Sequence, residues 1–127
     1  MTFKVLIVDD SRLARMAVAK SLTALRPEWT RVEATNADEA LALAHQAPFD
    51  IALVDFNMPG RDGLTLAAEL RDLNPTMPVA VITANLQAEI VKRAHDVGAQ
   101  FLPKPLTQDA MSAFITQAEQ RLGASDR

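Results

Sequence analysis

The 127-residue chain contains no cysteine, which excludes disulfides, thiolate zinc sites and cysteine nucleophiles and makes a reducing cytoplasm the simplest compartment. Its two histidines, at positions 45 and 95, are too few for a histidine metal cluster. A basic excess is also missing: thirteen Lys+Arg against sixteen Asp+Glu give a net charge of −3. Direct nucleic-acid binding is therefore not expected, because it rests on neutralising phosphates. No apolar run is long enough to span a membrane, and residues 1–8 reach Asp9 and Asp10 too soon for a signal peptide. Internal repeats, low-complexity tracts and linkers are lacking. What is present is 49% hydrophobic and 23% charged residues with a mean hydropathy of +0.03. That balance excludes disorder and gives one globular core at a length typical of a single domain.

Short β-branched runs alternate with stretches of helical spacing to the end of the chain, which predicts an α/β fold with a parallel sheet covered on both faces. Strands are expected at residues 3–8, 32–35, 51–55, 79–83 and 100–102. The second is the weakest and reads as an edge strand. Helices follow each: Ala14, Ala17, Val18, Leu22 and Leu25 form one apolar stripe, ended by Pro27, with Asp10 and Ser11 as caps. Asn36 caps the second helix, and Gly98 is placed as the C-terminal cap of the fourth. Met111, Phe114, Ile115, Ala118 and Leu122 give the fifth, leaving residues 123–127 as a flexible tail.

In open parallel sheets, ligands bind outside the carboxyl ends of the strands. Here those ends are polar: Asp9 and Asp10 after the first strand, Asp55 closing the third, Thr83 the fourth and Lys104 following the fifth. Taken singly, each has a plain reading. The acidic pair would be a helix cap, Thr83 a β-former and Lys104 a solvated charge; Asp55 is harder to dismiss, because a carboxylate closing a buried strand is costly without a partner. Carboxylates converging with no thiol or imidazole nearby call for a hard cation, and Mg²⁺ is the one expected.

These residues resemble the receiver domain of two-component response regulators, single-domain chemotaxis type. The resemblance runs through Asp9-Asp10, Asp55 with Asn57-Met58-Pro59-Gly60 and Asp62-Gly63, Thr83-Ala84, and Phe101 to Lys104-Pro105. It implies a flavodoxin-like, doubly wound five-stranded sheet of order 2-1-3-4-5 with five helices, over residues 1–122. It implies that Asp55 accepts a phosphoryl group from a histidine kinase or histidine phosphotransfer protein. Mg²⁺ would be held by Asp10 directly, Asp9 through water, Asp55 and the Asn57 backbone carbonyl. Lys104 would pair with the phosphoryl oxygens, Thr83 would hydrogen-bond one of them, and Ala84 would leave room for the group. Phe101 would be the switch aromatic, with Phe in place of Tyr, and Lys104-Pro105 would be cis. Asn57 and Asn85 fall where the family tunes phosphoryl lifetime. The output would be the surface of the fourth helix, fifth strand and fifth helix, read by a downstream protein target. Such a protein is a cytoplasmic monomer or weak dimer, and its chemistry serves its own switching.

The rival from another class is a Mg²⁺-dependent phosphatase of the haloacid dehalogenase type, which needs a carboxylic acid two residues after its nucleophile. Asn57 stands there and cannot donate that proton. A flavin binder is disfavoured because Asp9-Asp10-Ser11-Arg12 would repel a bound phosphate. A receiver-like module that only binds partners has no need of the full acidic set. Arg12, Arg15, Lys92 and Arg93 read as solvated helix faces, the first two within reach of a partner kinase, and both histidines as surface residues.

Overall fold

The computed structural model describes residues 2–84 and 87–125. Strands and helices alternate strictly: β1 (Lys4–Val8), α1 (Arg12–Leu25), β2 (Thr30–Ala34), α2 (Ala37–Gln46), β3 (Ile51–Asp55), α3 (Gly63–Leu73), β4 (Val79–Thr83), α4 (Ala88–Asp96), β5 (Gln100–Pro103) and α5 (Gln108–Ser125). All pairings are parallel and the strand order is β2-β1-β3-β4-β5, the flavodoxin-like order expected. Every residue of β3 and β4 is buried, which is why both read as unbroken apolar runs.

Period-two alternation divides the strand side chains between two cores. Leu6, Val8, Ala52, Val54, Val79 and Val81 face α2, α3 and α4, whose Ala40, Leu66, Leu70 and Ile90 complete that layer. Val5, Ile7, Leu53, Ala80, Ile82 and Leu102 face α1 and α5, meeting Val18, Leu22, Met111, Phe114 and Ile115. Helices on both faces must therefore diverge at the carboxyl edge of the sheet. Ser11, Asn36 and Asp62 cap α1, α2 and α3 there, each accepting the amide three residues on, at 3.2, 2.8 and 2.8 Å.

The element bounds differ from expectation by one or two residues at β1, which begins at Lys4, at both ends of β2 and at β5, which runs to Pro103, and α5 runs past its expected end. β2 begins at Thr30, two residues earlier, because its amide donates to the Phe3 carbonyl at 3.1 Å and Lys4 pairs with it. Thr30 and Arg31 are exposed, so no apolar pattern marks them. α5 continues through Ser125, past the expected start of the tail; a single glycine such as Gly123 costs a helix about 1 kcal/mol against alanine without stopping it. Residues 126 and 127 lie outside the described residues. Among those described, no helix is long and apolar enough to cross a membrane. Trp29 packs edge-on against Phe3 at the amino-terminal edge of the sheet, ring centroids 5.2 Å apart. It is thus a full strand length, roughly 15 Å, from the carboxyl edge.

Candidate functional site

β1 delivers Asp9 and Asp10 into the crevice by a tightly bonded turn. The Asp9 amide donates to the Ala34 carbonyl at 3.2 Å, and Asp9 Oδ1 accepts the Ser11 amide at 2.9 Å. Asp9 is buried and Asp10 exposed. Asp55 is the last residue of β3 and only 3% exposed. One carboxylate oxygen each of Asp9, Asp10 and Asp55 lies within 4.8 Å of the others. Lys104 Nζ approaches Asp55 Oδ1 to 2.5 Å. Its backbone is held by an amide bond to the Thr83 carbonyl at 3.0 Å, and the Lys104–Pro105 peptide is cis. Thr83 is wholly buried and sits one residue beyond Ile82, the register partner of Asp55.

The five polar strand ends expected from sequence therefore meet at one corner. Phe101 is half-buried, and alternation with buried Leu102 puts it on the sheet face covered by α4. Asn57 is exposed two residues after Asp55. His45 and His95 are both exposed, on α2 and α4. Asn85 lies outside the described residues.

Electrostatically the corner is anionic. At an effective dielectric near 20, two unit charges 4–5 Å apart interact by about 3–4 kcal/mol, and here that interaction is repulsive. Burial raises the proton affinity of Asp9 above the ordinary carboxylate value of 3.8; the Ser11 amide opposes this, the charges of Asp55 and Asp10 add to it, and Lys104 opposes it. Asp55 Oδ1, buried, makes no hydrogen bond of good geometry, so the ionic contact with Lys104 is its compensation. Three carboxylates facing one ammonium leave a formal deficit of two positive charges. An all-oxygen donor set, close spacing and an under-coordinated buried oxygen fit a hard divalent cation, with Asp9, Asp10 and Asp55 as the groups able to hold it.

Three contributions were not legible in the sequence. Arg15 is not a solvated cation: its side chain is 12% exposed and donates to the Asp9 carbonyl at 2.7 Å and to Glu33 Oε1 at 3.0 Å. Arg93 likewise pairs with Asp62, 3.2 Å from Oδ2, tying α4 to the cap of α3. Gly63 packs against the backbone of the Asp55 carbonyl, where a Cβ would lie 2.4 Å from the oxygen. Gly63 appeared in the sequence only as part of the Asp62-Gly63 pair, with nothing to show what it packs against; the two arginine contacts cross elements and have no local signature.

Asp62 supplies a pH-dependent contribution to stability. Burial favours its protonated form, but the Thr65 amide and hydroxyl together with Arg93 outweigh this and hold its pKa below 3.8. A carboxylate depressed on folding stabilises the fold above its unfolded pKa and loses that contribution as pH falls through the folded value. Asp62→Asn keeps a capping oxygen and loses the charge. It should be less stable than wild type by about 0.2–1 kcal/mol at pH 7, given the half-exposed ion pair. Urea denaturation below pH 3 should show the two proteins converging; a constant difference would assign the effect to the cap.

A family model described as response regulator receiver domain matches residues 5–116. The DNA-binding transcriptional regulator NtrC of Klebsiella pneumoniae is 35% identical over 114 residues, covering 88% of this chain and 24% of that protein. The glycerol metabolism activator of Pseudomonas putida is 35% identical over 117 residues, covering 91% of this chain and 53% of that one. The chain thus spans from about a quarter to half the length of these curated relatives. Among solved structures, the Vibrio cholerae chemotaxis protein CheY4 superposes with a TM-score of 0.83 at 28% identity, covering 93% of this chain and 99% of that one. None of these matches supports the dehalogenase-type phosphatase.

Proposed function

This chain belongs to the response regulator receiver domain family, and from that premise we propose that it takes a phosphoryl group onto Asp55, with Mg²⁺, from a histidine kinase or histidine phosphotransfer protein. The observation that carries this reading is the meeting of Asp9, Asp10 and Asp55 with Lys104 at the carboxyl edge of the sheet. Residues 1–122 are the receiver unit in this reading, and the chemistry sets the state of the protein itself. A bound Mg²⁺ supplies charge neutralisation for the carboxylates and the incoming phosphoryl oxygens.

The chain's own groups do the rest. A carboxylate oxygen of Asp55 forms a P–O bond as the P–N bond of the donor phosphohistidine breaks. The electron pair leaves with the donor imidazole, which gains a proton from solvent. Lys104, already against Asp55, turns its ammonium to an equatorial phosphoryl oxygen. Asp10, exposed at the mouth, would hold a hydrated cation directly, and Asp9, buried and bonded to the Ser11 amide, would act through water. Asp55 and the Asn57 backbone carbonyl would complete the set.

A groove of about 350 Å³ between α1 and the loop after β5 runs into this corner. It is lined by Ala14, Ala17, Val18, Pro105 and Leu106 beside Asp9 and Lys104. Leu13 and Met16 lie on the same helix, 78% and 53% exposed. This apolar surface next to the phosphoacceptor supports docking of the donor protein there.

The output is the face of α4, β5 and α5. Thr83 leads from β4 toward α4, and the Lys104 amide bonds its carbonyl, so a phosphoryl group that draws the Thr83 hydroxyl inward acts on both β4 and β5. If the active arrangement is about 1% populated at rest, carrying it near completion takes about 5.5 kcal/mol. One charge-assisted hydrogen bond contributes about 1.5–3 kcal/mol. Thr83 alone is too little; Lys104, the cation and a repacked Phe101 must share the shift. NMR spectra with and without a stable phosphoryl mimic should change from Thr83 across Phe101 to the outer sides of α4 and α5. Changes confined to the loops around Asp55 would remove this face as the output.

A further inference from the structure

We propose that Arg15 is a positioning residue for the cation site, its guanidinium bridging the Asp9 carbonyl and Glu33 so that the β1–α1 turn presents Asp9 and Asp10 at fixed spacing. The proposal rests on the Mg²⁺-dependent reading above and extends it to a side chain outside the acidic corner. Arg15 lies in the first turns of α1, where the helix dipole disfavours a cation. It is nevertheless largely buried, at 12% exposure. A residue that breaks a local rule and is held in place needs a compensating role, and its contacts supply one. Nζ-type flexibility is absent from a guanidinium: Nη1 donates to the Asp9 carbonyl at 2.7 Å while Nε donates to Glu33 at 3.0 Å. Glu33 stands on β2 opposite Ile7, so the bridge fastens the helix and the edge strand to the same turn.

Both polar backbone groups of Asp9 are thereby bonded, its amide to the Ala34 carbonyl and its carbonyl to Arg15, while its side-chain Oδ1 accepts the Ser11 amide. Removing Arg15 has two opposed effects on a cation. It deletes a positive charge behind the site, which favours binding, but that charge is already paired with Glu33, and so the gain is small. It also releases the turn, and loss of a group that orients ligands weakens metal affinity by about 10–100-fold. Positioning wins.

The test is Mg²⁺ titration of the whole chain by calorimetry, for wild type, Arg15→Gln and Arg15→Lys. Arg15→Gln should bind about 10–100-fold more weakly, and Arg15→Lys should fall between, because one ammonium cannot hold both acceptors. Hydrogen exchange of the Ser11 amide without Mg²⁺ should quicken in Arg15→Gln. Phosphorylation by acetyl phosphate should be slow at low Mg²⁺ and recover toward wild type at saturation, which a damaged fold would not do. Affinity within twofold of wild type in the variants, or a rate deficit that persists at saturation, overturns the proposal. If Arg15→Gln does not fold, the affinity of Arg15→Lys decides it alone. Wild type that binds no Mg²⁺ would overturn the underlying reading and this proposal together.

Discussion

Asp55→Asn should take up no phosphoryl group from a small phosphodonor in Mg²⁺, under conditions that bring wild type to substantial occupancy. The amide preserves the shape of a side chain only 3% exposed but is no nucleophile. Mass analysis of the intact chain reads the result directly. Wild type stripped of divalent cations should also fail, for a different reason. The incoming phosphoryl charge would then face three carboxylates within 4.8 Å of one another, with Lys104 the ammonium that pairs with Asp55. If the cation contributes about 4 kcal/mol to charge stabilisation, its removal slows transfer by about 10³-fold. Equal phosphoryl stoichiometry in Asp55→Asn and wild type would move the acceptor elsewhere and sink the assignment. Steady release of inorganic phosphate from small phosphate esters would instead favour a phosphatase; Asn57, lacking a carboxylic proton, stands against that.

The fold was legible because its signals are local. β3 and β4 are bounded as the apolar runs predict, since strands buried on both faces carry no polar residues to blur their ends. Ser11 and Asn36 mark helix starts by chemistry a sequence displays, whereas Asp62 reads only as a loop residue and is seen to cap α3 in the structure. β2 was misjudged at its start because an edge strand can be held by backbone pairing with exposed side chains outward. The corner was legible as a set of residue types at strand ends, and the order of strands came from family resemblance. What could not be read was how the corner is held. Arg15 reaches Glu33, eighteen positions away, and Arg93 reaches Asp62, thirty-one away. In sequence both look like the polar face of an amphipathic helix, and only the register of β1 on β2 and the approach of α4 to α3 bring their partners within reach.

Those supporting contacts also decide which substitution near the site damages the fold most. Gly63→Ala should be the severe one, for a steric reason that has nothing to do with glycine's conformational freedom. Gly63 is the first residue of α3, and its amide donates to the Phe56 carbonyl at 2.9 Å, which draws the helix start onto the end of β3. A Cβ there would lie 2.4 Å from the Asp55 carbonyl oxygen and 2.9 Å from Phe56 Cα. Both are backbone atoms, so no side chain can swing aside. The helix cannot retreat freely either, because Leu64, Leu66, Ala67 and Leu70 are buried behind it. Overpacking costs about 1–3 kcal/mol where neighbours can yield, and this site belongs at or above the upper end. A loss of about 3 kcal/mol should lower Tm by roughly 10 °C in a domain of this size. Gly60→Ala is the informative comparison, since Gly60 has a φ of +83° and open space around it. Its cost is backbone strain alone, about 1–2 kcal/mol. Thermal and urea unfolding should therefore rank Gly63→Ala well below Gly60→Ala, and only Gly63→Ala should also weaken Mg²⁺ binding, because relief of the clash displaces the backbone that carries Asp55. The reverse ranking would mean that α3 can slide along β3, and that the end of β3 is not the rigid seat this packing requires.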